Sequence, residues 1–285
     1  MKFGIIGGSG LYDMEGLTNI ETKTINTPFG NPSDQYVLGK LENKEVVFLP
    51  RHGRGHKLLP SEINYRANIW GMKSLGVTHL VAVSAVGSLK EEIVPGHLVL
   101  PDQFIDRTKD RPSTFFGNGI VAHLQFGDPV CKSLLDEIAK TAKKSGIDFH
   151  KGGTYVCMEG PMFSTRAESE MYRSFGASVI GMTNLQEAKL AREAEMCFAT
   201  IALATDYDCW HESEEEVTIE AILAVMSKNV TNTKAILKEL IINFKPIDPE
   251  CKDQRALRGA IMNAPESIPP EAKERCSLLI KKYID

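Results

Sequence analysis

Three stretches of this 285-residue chain are almost unbroken in apolar residues: Lys2–Ile6, His79–Val86 and Cys197–Ala204. A strand with one face in water alternates polar and apolar positions. A short run that is apolar throughout reads as a strand buried on both faces, as in a parallel sheet between two layers of helices. The intervening sequence can supply those layers. Helices are expected from Ser61 to about Leu75, from Asp128-Pro129 to about Ser145, and over Thr165–Phe175 and Leu185–Ala194. Two more are expected over roughly Val217–Phe244 and Glu271–Tyr283. Ser61 can cap the first of them, and Gly76, Gly146 and Gly176 stand where helices commonly end. Val99–Leu100, Gly153–Met158 and Ser178–Met182 read as further short strands, and Gln35–Leu41 with Glu45–Leu49 as a hairpin around Glu42-Asn43-Lys44. The expected fold class is α/β: a single-domain, mixed, mostly parallel β-sheet flanked by helices.

Composition narrows the function. Apolar residues make up 42% and charged residues 25%, as in ordinary globular proteins rather than disordered ones. Lys+Arg total 33 against 37 Asp+Glu, a formal charge of −4, so no basic face for nucleic acid is expected. No apolar run approaches the ~18–20 residues of a membrane span. The start breaks into Gly7-Gly8 without a secretory h-region or cleavage site, so a cytoplasmic protein is expected. The six cysteines (131, 157, 197, 209, 251 and 276) contain no C-x-x-C pair. Their spacing argues against a disulfide scaffold and excludes a cysteine-rich zinc site, leaving the thiols as small core side chains. Whether Cys251 and Cys276 pair stays open.

Several loops carry chemistry. Gly7-Gly8-Ser9-Gly10 follows the first strand, but neither G-x-G-x-x-G nor a Walker A pattern is present. It is either an anion loop of backbone N–H groups and the Ser9 hydroxyl, or a tight turn. Arg51-His52-Gly53-Arg54-Gly55-His56 is rich in donors, and Arg51 can grip a phosphate or carboxylate in a bidentate fork. The glycines argue against a helical His52/His56 metal pair. Ser84-Ala85-Val86-Gly87-Ser88 and Gly181-Met182-Thr183-Asn184 place hydroxyls after strands, where ligands of open α/β sheets gather. Thr205-Asp206-Tyr207-Asp208 ends another strand, with both carboxylates expected on one side. Burial and mutual repulsion raise the pKa of one member of such a pair, as a general acid requires. Glu159-Gly160-Pro161-Met162-Phe163 is either a ring-stacking loop or a packed corner.

Taken in order, these segments resemble the 5′-methylthioadenosine phosphorylase family, within the trimeric class of purine nucleoside phosphorylases. The resemblance covers roughly residues 3–240. It rests on Gly7-Gly8-Ser9-Gly10-Leu11, Thr27-Pro28-Phe29-Gly30, Arg51-His52-Gly53, Asn64-Tyr65-Arg66-Ala67-Asn68-Ile69-Trp70 and Ser84-Ala85-Val86-Gly87-Ser88-Leu89. It rests equally on Asp102-Gln103-Phe104-Ile105-Asp106-Arg107-Thr108, Glu159-Gly160-Pro161-Met162-Phe163-Ser164 and Ala204-Thr205-Asp206-Tyr207-Asp208.

The resemblance implies phosphorolysis of methylthioadenosine to adenine and 5-methylthioribose 1-phosphate. Phosphate is a co-substrate, and no cofactor or metal is implied. By the same resemblance Ser9, Arg51, His52, Ser84, Ala85 and Thr183 hold phosphate. Met182 lies by the ribose, Phe163 packs on the purine, and Thr205 borders the base. Asp206 faces purine N7 and Asp208 the 6-amino group, as the catalytic pair. His123 reaches a neighbouring subunit's site, and Ile219, Ile222 and Leu223 form an apolar 5′ pocket. The expected organisation is a nucleoside phosphorylase domain over 1–245 and a C-terminal extension over 246–285, in a homo-oligomer, trimer or hexamer. Ser9 and Ser84 replace Thr of some members and keep the hydroxyl; Gly181 replaces an Asn. The rival on the same fold is a 6-oxopurine nucleoside or methylthioinosine phosphorylase, which generally carries Asn where this chain has Asp206. A non-catalytic nucleoside-binding protein is the alternative from another class.

Overall fold

The computed structural model describes the chain apart from residues 9, 12, 212–218, 246–250 and 285, and apart from the side chains of residues 219–223. The first half contains β1 (Phe3–Gly7), β2 (Leu17–Lys23), β3 (Tyr36–Leu41), β4 (Lys44–Pro50), α1 (Tyr65–Ser74), β5 (His79–Ser88), β6 (Leu98–Leu100) and β7 (Gln103–Arg107). The second contains α2 (Lys132–Lys144), β8 (Phe149–Lys151), β9 (Thr154–Met158), α3 (Arg166–Ser174), β10 (Val179–Gly181), α4 (Leu185–Glu193), β11 (Cys197–Asp206), α5 (Ile219–Asn243) and α6 (Pro270–Ile284).

The sheet runs β2-β3-β4-β1-β5-β10-β9-β7, with β11 also paired to β5, β6 to β11 and β8 to β6. The pairs β1·β4, β1·β5 and β5·β11 are parallel, whereas β5·β10 is antiparallel. Alternate residues of the central strands feed two cores. Val81, Val83, Ala199, Ile201 and Leu203 pack with α2 and α5. Leu80, Ala82 and Phe198 pack with α1, α4 and α6. That alternation explains why these strands are apolar at every position. The C-terminal extension packs on the sheet rather than forming a separate body: Cys251 packs against the first core, and Leu257, Ile268, Ala272, Cys276, Leu279 and Ile280 are buried in the second.

The strand β5 organises the site. Its residues Phe3-partnered His79 through Ala82 pair with β1, and Gly87 and Ser88 pair with β10. Between them Val83–Val86 have β11 along one edge and, among the described residues, no strand on the other. The sheet is therefore split at that edge. Ala85, which lies in the split, is exposed although its neighbours on both sides are buried.

Some local expectations need correction. The helix expected at Ser61 begins at Tyr65, because Asn64 is the cap: its Oδ1 accepts from the Ala67 N–H at 3.1 Å. Residues before it form a turn in which the Leu59 N–H donates to Glu62 Oε2. The helix expected at Asp128-Pro129 begins at Lys132, with Cys131 at the cap position. α3 starts as its sequence implies, with Thr165 and Glu168 in a reciprocal capping box. The cysteine spacing argument also fails: folding brings Cys131, Cys197 and Cys251 together from distant parts of the chain. Cys276 instead donates to the Phe115 carbonyl, so it does not pair with Cys251. No helix among the described residues is long and apolar enough to cross a membrane.

Candidate active site

Arg51 enters the split from the end of β4. It is 3% exposed, and its Nε and Nη2 donate to the two carboxylate oxygens of Glu187 at 2.5 and 2.9 Å. Nη1 donates to the Val83 carbonyl at 2.8 Å, and Nη2 also to that of Ile6 at 3.3 Å. The bidentate fork assigned from sequence to a ligand is thus occupied by Glu187. What Arg51 offers the split is its charge and one remaining Nη1 N–H. Burial lowers its pKa, but Glu187 more than compensates, so the guanidinium stays charged.

His52 is held by a 2.8 Å hydrogen bond from Nδ1 to the Leu58 carbonyl and stacks on His56, ring centroids 4.2 Å apart. A carbonyl only accepts, so Nδ1 carries the proton and Nε2 is an acceptor. Burial pushes this imidazole down to about 4; the Leu58 bond opposes the shift, and Arg51 and His56 add to it. His52 is therefore neutral at pH 7.

Hydroxyls line the same opening. Ser84 Oγ lies 3.3 Å from both Thr183 Oγ1 and the Tyr155 hydroxyl. Ser84 and Thr183 are buried, Ser84 within β5, which runs on to Ser88 past the end expected from sequence, and Thr183 two residues beyond β10. Tyr155 was not legible as a site residue, and it accounts for Gly181. A Cβ at 181 would meet the Tyr155 hydroxyl at 2.0 Å, so the tyrosine fills the space that a side chain at 181 would need. Asn184, next to Thr183, has φ +100°, a strained backbone that recurs at functional sites.

The two aspartates lie beside Gly87, the residue of β5 that follows the split. β11 bulges at Thr205: Ala204 faces Val86 and Asp206 faces Gly87. A bulge re-aims the following side chain. Asp206 Oδ2 accepts from the Thr205 hydroxyl at 2.7 Å, and Oδ1 from the Asp208 N–H at 2.9 Å. Asp208 is not on an extended strand, as simple alternation implies. It has φ +51° and starts a short 3-10 turn over Asp208–Trp210. Its Oδ2 accepts from Ser169 Oγ at 2.7 Å. Burial raises the Asp208 pKa and the nearby Asp206 carboxylate adds to it, against the Ser169 bond. Gly87 makes the arrangement possible. A Cβ there would meet Asp206 Oδ1 at 3.1 Å and the Asp208 Cβ at 3.2 Å. Gly87→Ala is expected to displace both carboxyls and lower kcat/KM by roughly tenfold to a hundredfold with little loss of Tm. A normal kcat/KM would mean that the aspartates tolerate the shift.

The remaining residues divide. Met182 packs against Gly160, where a Cβ would meet its Sδ at 2.6 Å. Arg111, also missed from sequence, donates to the carbonyls of Met182 (2.6 Å) and Glu159 and so ties the loops after β9 and β10 together. Phe163 and Met162 protrude, 82% and 79% exposed. Cys209 Sγ bonds the Ser164 carbonyl and fixes their loop beside the aspartates. His123 is not brought to this cluster: it is exposed, and its N–H donates to Ala260 of the C-terminal extension. Ser9 and the side chains of Ile219, Ile222 and Leu223 lie outside the described residues.

Comparison with known proteins places these features in a family context. The sequence model of the phosphorylase superfamily matches residues 2–242. An S-methyl-5′-thioadenosine phosphorylase of Geobacter sulfurreducens is 59% identical over 284 residues, covering 99% of this chain and 98% of its own. The crystal structure of a methylthioadenosine phosphorylase from an antarctic soil metagenomic library superposes with a TM-score of 0.93 at 48% identity, covering 98% of each chain. A Schistosoma mansoni methylthioadenosine phosphorylase in complex with adenine gives 0.85 at 35% identity, covering 92% of this chain and 99% of that one.

Proposed function

This chain belongs to the phosphorylase superfamily, and from that premise we propose that it cleaves 5′-methylthioadenosine with inorganic phosphate, releasing adenine and 5-methylthioribose 1-phosphate. The observation that carries the reading is the split at Val83–Val86, which Arg51 and hydroxyls line, with two carboxyls beside Gly87 at the next position of the same strand. Near-complete coverage by relatives named for this activity supports it.

In this reading phosphate lies against Ser9, Arg51, His52, Ser84, Ala85 and Thr183. The exposed Ala85 leaves room for it in the split. The neutral His52 accepts, at Nε2, a hydrogen bond from the hydroxyl of monohydrogen phosphate, since Nδ1 is committed to Leu58; the proton stays on phosphate. Breaking the N-glycosidic bond puts positive charge on the sugar and negative charge on the base. Phosphate stabilises the first and forms the new bond to C1′ as the base leaves. Asp206, at N7, stabilises the second by proton donation, and Asp208 accepts from the 6-amino group. Phosphate is the co-substrate, and no cofactor or metal takes part in the chemistry.

Phe163 packs on the purine, Met182 and Thr205 border the nucleoside, and Ile219, Ile222 and Leu223 enclose the methylthio group. His123 serves the neighbouring protomer of a homo-oligomer, trimer or hexamer. Its exposure supports this role, as does that of Phe163, a large apolar side chain that water would otherwise cover. The phosphorylase unit comprises residues 1–245, with 246–285 as an extension. A reducing cytoplasm suits the six unbridged cysteines.

The test is base release from methylthioadenosine, methylthioinosine, adenosine and inosine, with and without phosphate. Phosphate-dependent cleavage, fastest for methylthioadenosine, is expected. Faster cleavage of the inosine forms would transfer the assignment to 6-oxopurines. Binding without cleavage would leave a nucleoside-binding protein.

A further inference from the structure

We propose that Cys131, Cys197, Cys251 and Asp253 form a structural site for one thiophilic divalent ion, with zinc as its fitting occupant, that fastens the C-terminal extension to the sheet. Cys131 stands at the N-cap of α2, Cys197 opens β11, and Cys251 and Asp253 belong to the extension. The Sγ atoms and a carboxylate oxygen all lie within 4.8 Å of one another. Cys197 Sγ is 3.7 Å from Cys251 Sγ, and Cys251 Sγ is 3.7 Å from Asp253 Oδ2. A tetrahedron with zinc–sulfur bonds of about 2.3 Å has edges of about 3.8 Å. These separations therefore suit four ligands around a common centre, and they are far from the about 2.05 Å of a disulfide.

The surroundings agree with that geometry. Cys131 and Cys197 are buried, and Asp253 is 3% exposed. An apolar core has use for buried thiols as small side chains, but not for a carboxylate among them. Asp253 has a cation on its other side: Arg192 Nη2 lies 3.0 Å from Oδ1 while Oδ2 faces Cys251. A ligating carboxylate oriented through its second oxygen is a common outer-shell arrangement. The side chain of Cys131 caps no α2 N–H; its sulfur lies 3.3 Å from Ser133 Oγ, a contact that a hydroxyl can make to a metal-bound sulfur as well. The position also favours thiolate, as helix N-termini do. Three thiolates and a carboxylate carry −4; the ion and Arg192 together return +3. Three thiol protons leave as the ion binds. Thiolate donors select zinc over magnesium or calcium, and four protein ligands leave no open position for chemistry.

The consequence reaches the active site through α4. Glu187 on this helix holds Arg51, and Arg192, five residues on, holds Asp253. The ion would brace the helix that positions the phosphate-side arginine.

Cobalt titration of the full-length, reduced, chelator-treated protein tests the site directly. The expected result is one equivalent of cobalt bound per chain, with thiolate-to-cobalt charge-transfer absorption and the intense visible bands of a tetrahedral centre. Zinc should abolish these bands on displacing cobalt and raise Tm. Cys251→Ser and Asp253→Asn should each weaken binding by at least about tenfold. Cys276→Ser, in the other core, should leave it unchanged. Absence of the bands in the reduced wild-type chain would overturn the proposal, as would bands that survive Cys251→Ser. So would mass spectrometry showing a disulfide among these cysteines as the resident state under reducing purification. Should a variant fail to fold, the wild-type titration decides alone.

Discussion

Replacing Asp206 with alanine is expected to lower kcat by about 10²- to 10⁴-fold, the usual span for a lost general acid, while nucleoside affinity changes by less than about tenfold. The split in kinetic effect follows from when the carboxyl acts. Negative charge on the base appears only as the glycosidic bond breaks, so the contact is worth most in the transition state. The fold should survive the change. Asp206 accepts hydrogen bonds from the Thr205 hydroxyl and the Asp208 N–H, both at a partly open site where water can replace it. Steady-state kinetics on methylthioadenosine, with a binding measurement on the same variant, reads both quantities. Near-normal turnover would remove Asp206 from the chemistry.

Arg51→Met is expected to act twice, on phosphate and on stability. Loss of the positive charge that Arg51 brings to the split should raise the phosphate KM by roughly tenfold or more, since hydrogen bonds to charged groups are worth about 1.5–3 kcal/mol. Stability should fall by about 3–5 kcal/mol, because Glu187 is fully buried and its carboxylate would lose its counter-ion. The pair can be separated by experiment. In Arg51→Met/Glu187→Met the orphaned charge is gone, so most of the stability should return. The phosphate KM should stay high. Thermal unfolding and phosphate kinetics on the two variants distinguish these effects. Recovery of both in the double variant would mean that Arg51 only organises the fold and that the anion is bound elsewhere.

The sequence is most informative where physics acts locally. β1, β5 and β11 are apolar at nearly every position because cores lie on both faces, and α3 carries both halves of its capping box. β2 gave no signal: six of its seven residues are exposed, so no apolar face marks it as a strand. β8, three residues long, is too short for a period to be visible. In the site, the segments bearing Arg51, Ser84, Thr183 and Asp206 could be picked out because hydroxyls and charges interrupt or follow apolar runs. Their partners could not. Glu187 looks like any acidic residue near a helix start, and only the fold reveals it as the buried counter-ion of a residue 136 positions away. Tyr155 reads as a core aromatic until its hydroxyl is found in the space left by Gly181. The thiol cluster is hidden for the same reason: spacing arguments find ligands that are close in sequence, and these lie on three separate segments.

The gap beside Val83–Val86 makes substrate a thermodynamic component of the sheet. Edge groups that a neighbouring strand would normally satisfy are left to Arg51, to the Thr205 hydroxyl and to whatever enters the split. Saturation and folding are then linked in one equilibrium. At a hundred times the dissociation constant a ligand adds about 2.7 kcal/mol to stability. The cell's supply of phosphate and nucleoside thus becomes a determinant of how long the enzyme persists, because each empty interval exposes the chain to unfolding and proteolysis.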